Sequence, residues 1–180
     1  MMKLPFILLF FATVFSIKAS AQNTLNKGGT LYPATNQWLF KCKNNMLLGD
    51  FKVQLARGNK RGYLQLSIYA DLYGYFFGKP VSITLSDNSS IEIDNLVNKE
   101  DNNNGFIVAT FSIPEDQINI LKRLDIIKID FLIVSEEGTE GGPKGQYSGY
   151  NVNLNDVTSK NEKQGVASIK TAAEFSSLYD

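Results

Sequence analysis

Residues 51–70 read FKVQLARGNKRGYLQLSIYA. Phe51, Val53 and Leu55 alternate with Lys52 and Gln54, and Leu64, Leu66 and Ile68 alternate with Gln65, Ser67 and Tyr69. Successive side chains of an extended chain point to opposite faces, so a period of two held over both runs makes two half-buried strands. Between them, Arg57-Gly58-Asn59-Lys60-Arg61-Gly62 supplies two glycines that accept positive φ and three cations that resist burial. Those are the requirements of a solvent-exposed hairpin loop.

The same pattern extends outward. Val81–Leu85 and Ile91–Asp94 alternate about Ser86–Ser90, whose side chains bond their own backbone, which predicts a second hairpin. Lys99–Gly105 reads as a polar loop and Phe106–Ile113 as a further strand, β-branched and aromatic. Ser112-Ile113-Pro114-Glu115 has Pro in a first-turn position and Glu three residues after Ser, a capping-box spacing, which predicts one short helix over about 114–124 with Ile118, Leu121 and Leu124 on one face. Ile126–Val134 is the longest apolar strand; Ile127, Ile129, Phe131 and Ile133 are expected to share a face, while Leu132 and Val134 make the other face apolar too, as in a central strand.

Upstream, Trp38–Cys42 reads as a short strand and residues 22–37 as a polar lead-in. Downstream, Glu136–Gly149 is glycine-rich loop, Tyr150–Leu154 at most one more short strand, and 159–180 a polar tail with a weakly helical stretch at Ile169–Tyr179. The expected fold is mainly β: an antiparallel β-sandwich or curved sheet of six to eight strands with one short helix, in a single domain over residues 22–158.

Met1-Met2-Lys3, the apolar stretch Leu4–Ile17 and the small-x-small site Ala19-Ser20-Ala21 have the form of a signal peptide over residues 1–21. The stretch is shorter than the roughly 20 apolar residues that span a bilayer, so export to the periplasm or beyond is expected, with no transmembrane anchor after cleavage. The 43% hydrophobic content supports a real core, and 20% charged residues is too few for a disordered polyelectrolyte.

There is no histidine and one cysteine, which excludes Ser-His-Asp and Cys-His nucleophilic sites, histidine-ligated metals, CxxC motifs and an internal disulfide. Beyond residue 21 stand 16 basic and 18 acidic side chains, so no global field draws the protein to nucleic acid. The charge is uneven: 8 basic and 2 acidic residues in 22–80, against 8 and 16 in 81–180, as either attraction between neighbouring strands or a functional bipolar surface would favour.

Candidate sites are few. Arg57, Lys60 and Arg61 suit an anionic partner or a solubilising tip. Tyr69, Tyr73 and Tyr75, with Phe76 and Phe77, crowd a stretch punctuated by Gly74 and Gly78; rings on a bent backbone can stack on sugars or on a protein, whereas Phe76 and Phe77 read as core plugs. Cys42 lies between Lys41 and Lys43, which as strand neighbours point away from it, so it reads as a buried thiol with an intermolecular disulfide as the exception. Glu136, Glu137 and Glu140 lack the alternate spacing about a fixed glycine of an EF-hand loop, and no metal or cofactor is expected.

Phe111-Ser112-Ile113-Pro114-Glu115-Asp116-Gln117-Ile118-Asn119-Ile120-Leu121-Lys122-Arg123-Leu124 followed by Ile126-Ile127-Lys128-Ile129, together with the Ala-Ser-Ala-Gln ending at 19–22, resembles small uncharacterised exported β-rich proteins of Bacteroidota. The resemblance covers about a quarter of the chain after residue 21, implies an envelope or secreted location, and carries no catalytic residue. The expectation is a non-catalytic, exported binding module of the cell envelope whose partner is a protein or a glycan. The alternatives are a small carboxylate-dependent hydrolase or an assembly subunit.

Overall fold

The computed structural model describes residues 23–42, 51–70, 73–139, 141–151 and 169–180. The segment read as a signal peptide and residues 152–168 lie outside the described residues. In chain order the elements are β1 (Asn23–Lys27), β2 (Thr30–Ala34), β3 (Trp38–Cys42), β4 (Phe51–Arg57), β5 (Gly62–Tyr69), β6 (Tyr75–Phe77), β7 (Val81–Leu85), β8 (Ser90–Ile93), β9 (Leu96–Asn103), β10 (Phe106–Ile113), α1 (Glu115–Leu121), β11 (Ile126–Ser135), β12 (Gly145–Tyr150) and α2 (Thr171–Ser177).

Among the described residues all pairing is antiparallel, and the main path runs β8-β7-β11-β12-β3-β4-β5-β10-β9 in one curved, nearly barrel-shaped sheet. Strand β3 is the corner: two of its residues, Lys41 and Cys42, pair with β12, and Trp38–Phe40 pair with β4. β6 and β7 lie in line along one side of β11, and β6 also packs against β9 and β10, bringing the far edges together.

Among the described residues twelve strands replace the expected six to eight, and beside the expected short helix α1 stands α2, inside the stretch Ile169–Tyr179 read as weakly helical. Three of the added strands, β1, β2 and β9, come from turns that the polar composition disguised; the fourth, β6, pairs with β11 from within the aromatic stretch. Gly28 and Gly29 both hold positive φ and join β1 to β2 across the stretch taken for a lead-in, while Asn104 and Gly105 do the same for β9 and β10 inside the stretch taken for a loop. Two-residue turns with positive φ at both positions match the right-handed twist of paired strands, which is why Gly-Gly and Asn-Gly pairs make tight hairpins. Gly145–Gly149, read as loop, is most of β12.

Helix α1 starts directly after Pro114 with no side-chain cap, so the capping box is not formed; Ser112 is a buried residue of β10 instead. A register shift between Ile126 and Lys128 turns Ile126 inward, so that Ile126, Ile129, Phe131 and Ile133 are buried and Ile127 is not. An extra residue in a strand rotates the alternation behind it, and period-two counting does not register that.

The interior is filled by the inward rows Phe51, Val53, Leu55 of β4, Leu64, Leu66, Ile68 of β5, Ile107, Ala109, Phe111, Ile113 of β10 and Ile129, Phe131, Ile133 of β11. Phe51 and Phe131 stack across it with centroids 4.6 Å apart, and Phe77 and Phe40 pack against them. β12 passes so close to this stack that a Cβ on Gly149 would lie 2.2 Å from the Phe51 ring.

One end of the barrel is stoppered by α2. Phe175 is fully buried, Thr171 accepts the Ile126 amide at 2.8 Å, and Asp125 accepts the Ala172 amide at 3.0 Å. Glu174 receives the indole N–H of Trp38 at 2.8 Å on one oxygen and the Asn36 amide on the other.

Two outcomes are expected. Gly149→Ala overpacks the Phe51–Phe131 stack and lowers unfolding free energy by about 1–3 kcal/mol in urea titration. Glu174→Ala leaves the Trp38 N–H and the Asn36 amide without their acceptor, costing about 1–3 kcal/mol and red-shifting the fluorescence of the single tryptophan.

Candidate functional site: a polar cleft on the outer face

The residues of β4, β5, β10 and β9 that point away from the core form rungs across four strands. Register aligns Lys52, Ser67, Val108 and Glu100 in one rung and Gln54, Gln65, Thr110 and Asn98 in the next. At about 4.8 Å between strands each rung spans roughly 14 Å.

The β1–β2 hairpin overhangs these rungs. It meets the sheet at Ala34, paired with Ala56, and is seated by a small second core in which Leu25, Ala34 and Ala56 are buried, with Tyr32 and Tyr63 against them. Thr35 ties its base down: the Thr35 carbonyl accepts Gln54 Nε2 at 2.7 Å and its hydroxyl accepts the Leu55 amide at 3.1 Å. Between overhang and rungs lies a cleft of about 590 Å³, walled by Thr24, Asn26 and the Gly28-Gly29 turn on one side and by Asn104 on the other.

Its floor is rich in amides and hydroxyls. Gln65 Nε2 donates to the Thr110 hydroxyl at 3.4 Å, and Asn98 Nδ2 donates to Glu100 at 3.0 Å. Phe106 supplies a ring at one end, with the Lys52 ammonium 4.2 Å from its centroid and Tyr69 edge-on at 5.4 Å. Lys52 and Glu100 are the charged lining residues, of opposite sign, so the cleft has no net preference for an ionic ligand. Amides and hydroxyls both donate and accept, which suits a ligand that does the same.

The candidates named from sequence are distributed over both ends of β5, roughly 23 Å apart at about 3.3 Å per residue. Tyr69 stands beside the cleft, 44% exposed, through its contact with Phe106. Tyr73 is 74% exposed, whereas Tyr75 is buried with its hydroxyl donating to the Gly141 carbonyl at 2.6 Å, and Phe76 and Phe77 are buried. Lys60 and Arg61 are exposed at the β4–β5 turn near α1. Arg57 continues the inward row of β4 past the rim and donates to the Leu178 carbonyl at 2.6 Å, holding the end of α2. Glu136 and Glu137 are exposed after β11, and Glu140 lies outside the described residues.

Sequence reasoning did not find Gln54, Gln65, Ser67 or Asn98. A signal was present: the outward positions of β4, β5 and β10 carry Gln, Ser and Thr where a purely solubilising face would carry Lys and Glu.

Cys42 is half-buried on the same face of β3 as Trp38 and Phe40 and packs against the core. Burial pushes its thiol up from 9.0 to about 11. No family model, no curated protein and no solved structure matches this chain.

For Cys42, the rate of iodoacetamide alkylation in the folded protein is expected to rise with a midpoint near pH 11 rather than 9.0. The folded chain holds this proton more tightly than the unfolded chain, so the stability it contributes is full below pH 9.0 and is lost as pH rises toward about 11.

Proposed function

We propose that the protein is a non-catalytic binding module, exported to the cell envelope, whose outer cleft seats a run of uncharged, hydroxyl-rich glycan. The observation that carries this is the pair of rungs aligned across four strands, with amides and hydroxyls at hydrogen-bonding spacing beside the Phe106 ring. Sugar hydroxyls pair with side chains that both donate and accept, and the apolar face of a pyranose packs on an aromatic ring.

Its rigid strand-borne floor favours recognition without a large ordering cost on binding. A hydrolase using two carboxylates needs a second acid opposite Glu100, and no other residue lining the cleft is acidic. The exported location is supported by the basic start, short apolar stretch and Ala19-Ser20-Ala21 site.

The test is an array of neutral polysaccharides probed with the protein and with the Gln65→Ala/Asn98→Ala and Phe106→Ala variants. Wild type is expected to retain at least one neutral glycan, and each variant to bind it about tenfold more weakly, since losing buried hydrogen bonds or a stacking ring costs about 1–2 kcal/mol. Wild type that retains no glycan, or variants that bind as well as wild type, would overturn the proposal.

A further inference from the structure

We propose that a second cleft, at the barrel end stoppered by the helices, binds an oxyanion group, phosphate or sulfate, independently of the outer cleft. It measures about 610 Å³ and forms where the β4–β5 turn meets α1 and the residues after α2. Lys60, Arg61 and Lys122 line it, with Glu115 the one acidic lining residue and Tyr179 on its wall.

Three features point to an anion. First, among the described residues no carboxylate pairs with Lys60, Arg61 or Lys122, whereas Lys79, Lys128 and Lys170 each meet an aspartate. Three cations beside a single carboxylate that pairs with none of them raise the local potential, and an oxyanion relieves it. The neighbouring Arg57 and Arg123 are already committed to the backbone, at Leu178 and Asn119.

Second, the turn that carries Lys60 and Arg61 is fixed in place. The Gly58 amide donates to the Arg61 carbonyl at 2.8 Å, and a Cβ on Gly58 would lie 2.5 Å from that oxygen. Gly62 packs against Ile118 of α1 closely enough that a Cβ there would lie 3.2 Å away, so turn and helix are held together as the two sides of the cleft. Lys122 is positioned from the helix side by its contact with the Tyr179 ring, 4.6 Å from Nζ to centroid.

Third, the Tyr179 hydroxyl is buried and has no hydrogen-bond partner. A buried donor without an acceptor is costly, and a small movement of the Tyr179 ring toward the cleft would let a bound phosphate or sulfate oxygen accept from it. A guanidinium matches two oxygens of such a group while the ammonium groups act as point charges, and three cations against one carboxylate favour an ion of more than one negative charge or several acceptor oxygens over a single carboxylate.

The test uses the full chain with inorganic phosphate and, separately, a heparin-derived sulfated disaccharide, at constant ionic strength, following amide chemical shifts. Saturable shifts at Asn59–Gly62, Lys122 and Tyr179 are expected. Lys60→Ala/Arg61→Ala, both at exposed positions, should raise the dissociation constant about tenfold or more with an unchanged melting temperature. Lys122→Gln supplies a second variant from the other side of the cleft and should weaken binding too. Saturation by both probes marks a general oxyanion site, and saturation by the disaccharide alone marks one that needs the ester on a sugar; either upholds the proposal. Shifts that fail to saturate with both probes, or a dissociation constant unaltered in both variants, overturns it. The Gln65→Ala/Asn98→Ala variant should respond to both probes as wild type does, which separates failure here from failure of the outer cleft.

Discussion

Phe51 on β4 and Phe131 on β11 belong to opposite walls of one sheet, and their stacking at 4.6 Å holds those walls together. The sheet continues between the walls through β3, which reaches β12 with only two paired residues. So thin a hydrogen-bonded seam leaves the interior side chains to hold the curvature. Apolar burial and close packing supply that force, and the geometry is unforgiving: β12 can pass the stack because residue 149 lacks a Cβ.

Closing a sheet upon itself leaves its ends open, and at one end here Phe175 enters the core and Glu174, Thr171 and Asp125 hold α2 by hydrogen bonds to β3, the start of β11 and α2's own first turn. Arg57 completes this clasp from β4. Residues nearly the whole chain apart in sequence therefore form one structural unit, and the basic cleft exists because α1, α2 and the β4–β5 turn converge there. The polar cleft has another origin, the β1–β2 hairpin folded over an outer face that would otherwise meet bulk solvent.

The two clefts differ in their chemistry. One offers directional hydrogen bonds on rigid strands with balanced charge; the other offers cations fixed by a tight turn and a helix. The cysteine thiol is kept protonated by burial, as expected for a sulfur placed beside Phe40 on the core face of β3.

Alternation in the sequence by itself determined that β4, β5, β7, β8 and β11 are strands and which faces of β4 and β5 turn inward, because period two is a local property of an extended chain, and β-branched and aromatic content marked β10. Pro114 likewise marked the start of α1. Trp38–Cys42 was legible as β3, and Ile169–Tyr179 as the helical stretch that holds α2. Other features were decided only by the tertiary structure. Whether Gly28-Gly29 and Asn104-Gly105 close hairpins depends on what the flanking polar residues pair with, and the inward turn of Ile126 depends on a bulge against β7. The outer cleft was invisible for the same reason: Gln54, Gln65 and Asn98 are separate solvent-side residues in the sequence, and they line one cleft only when register aligns them and a distant hairpin roofs them over.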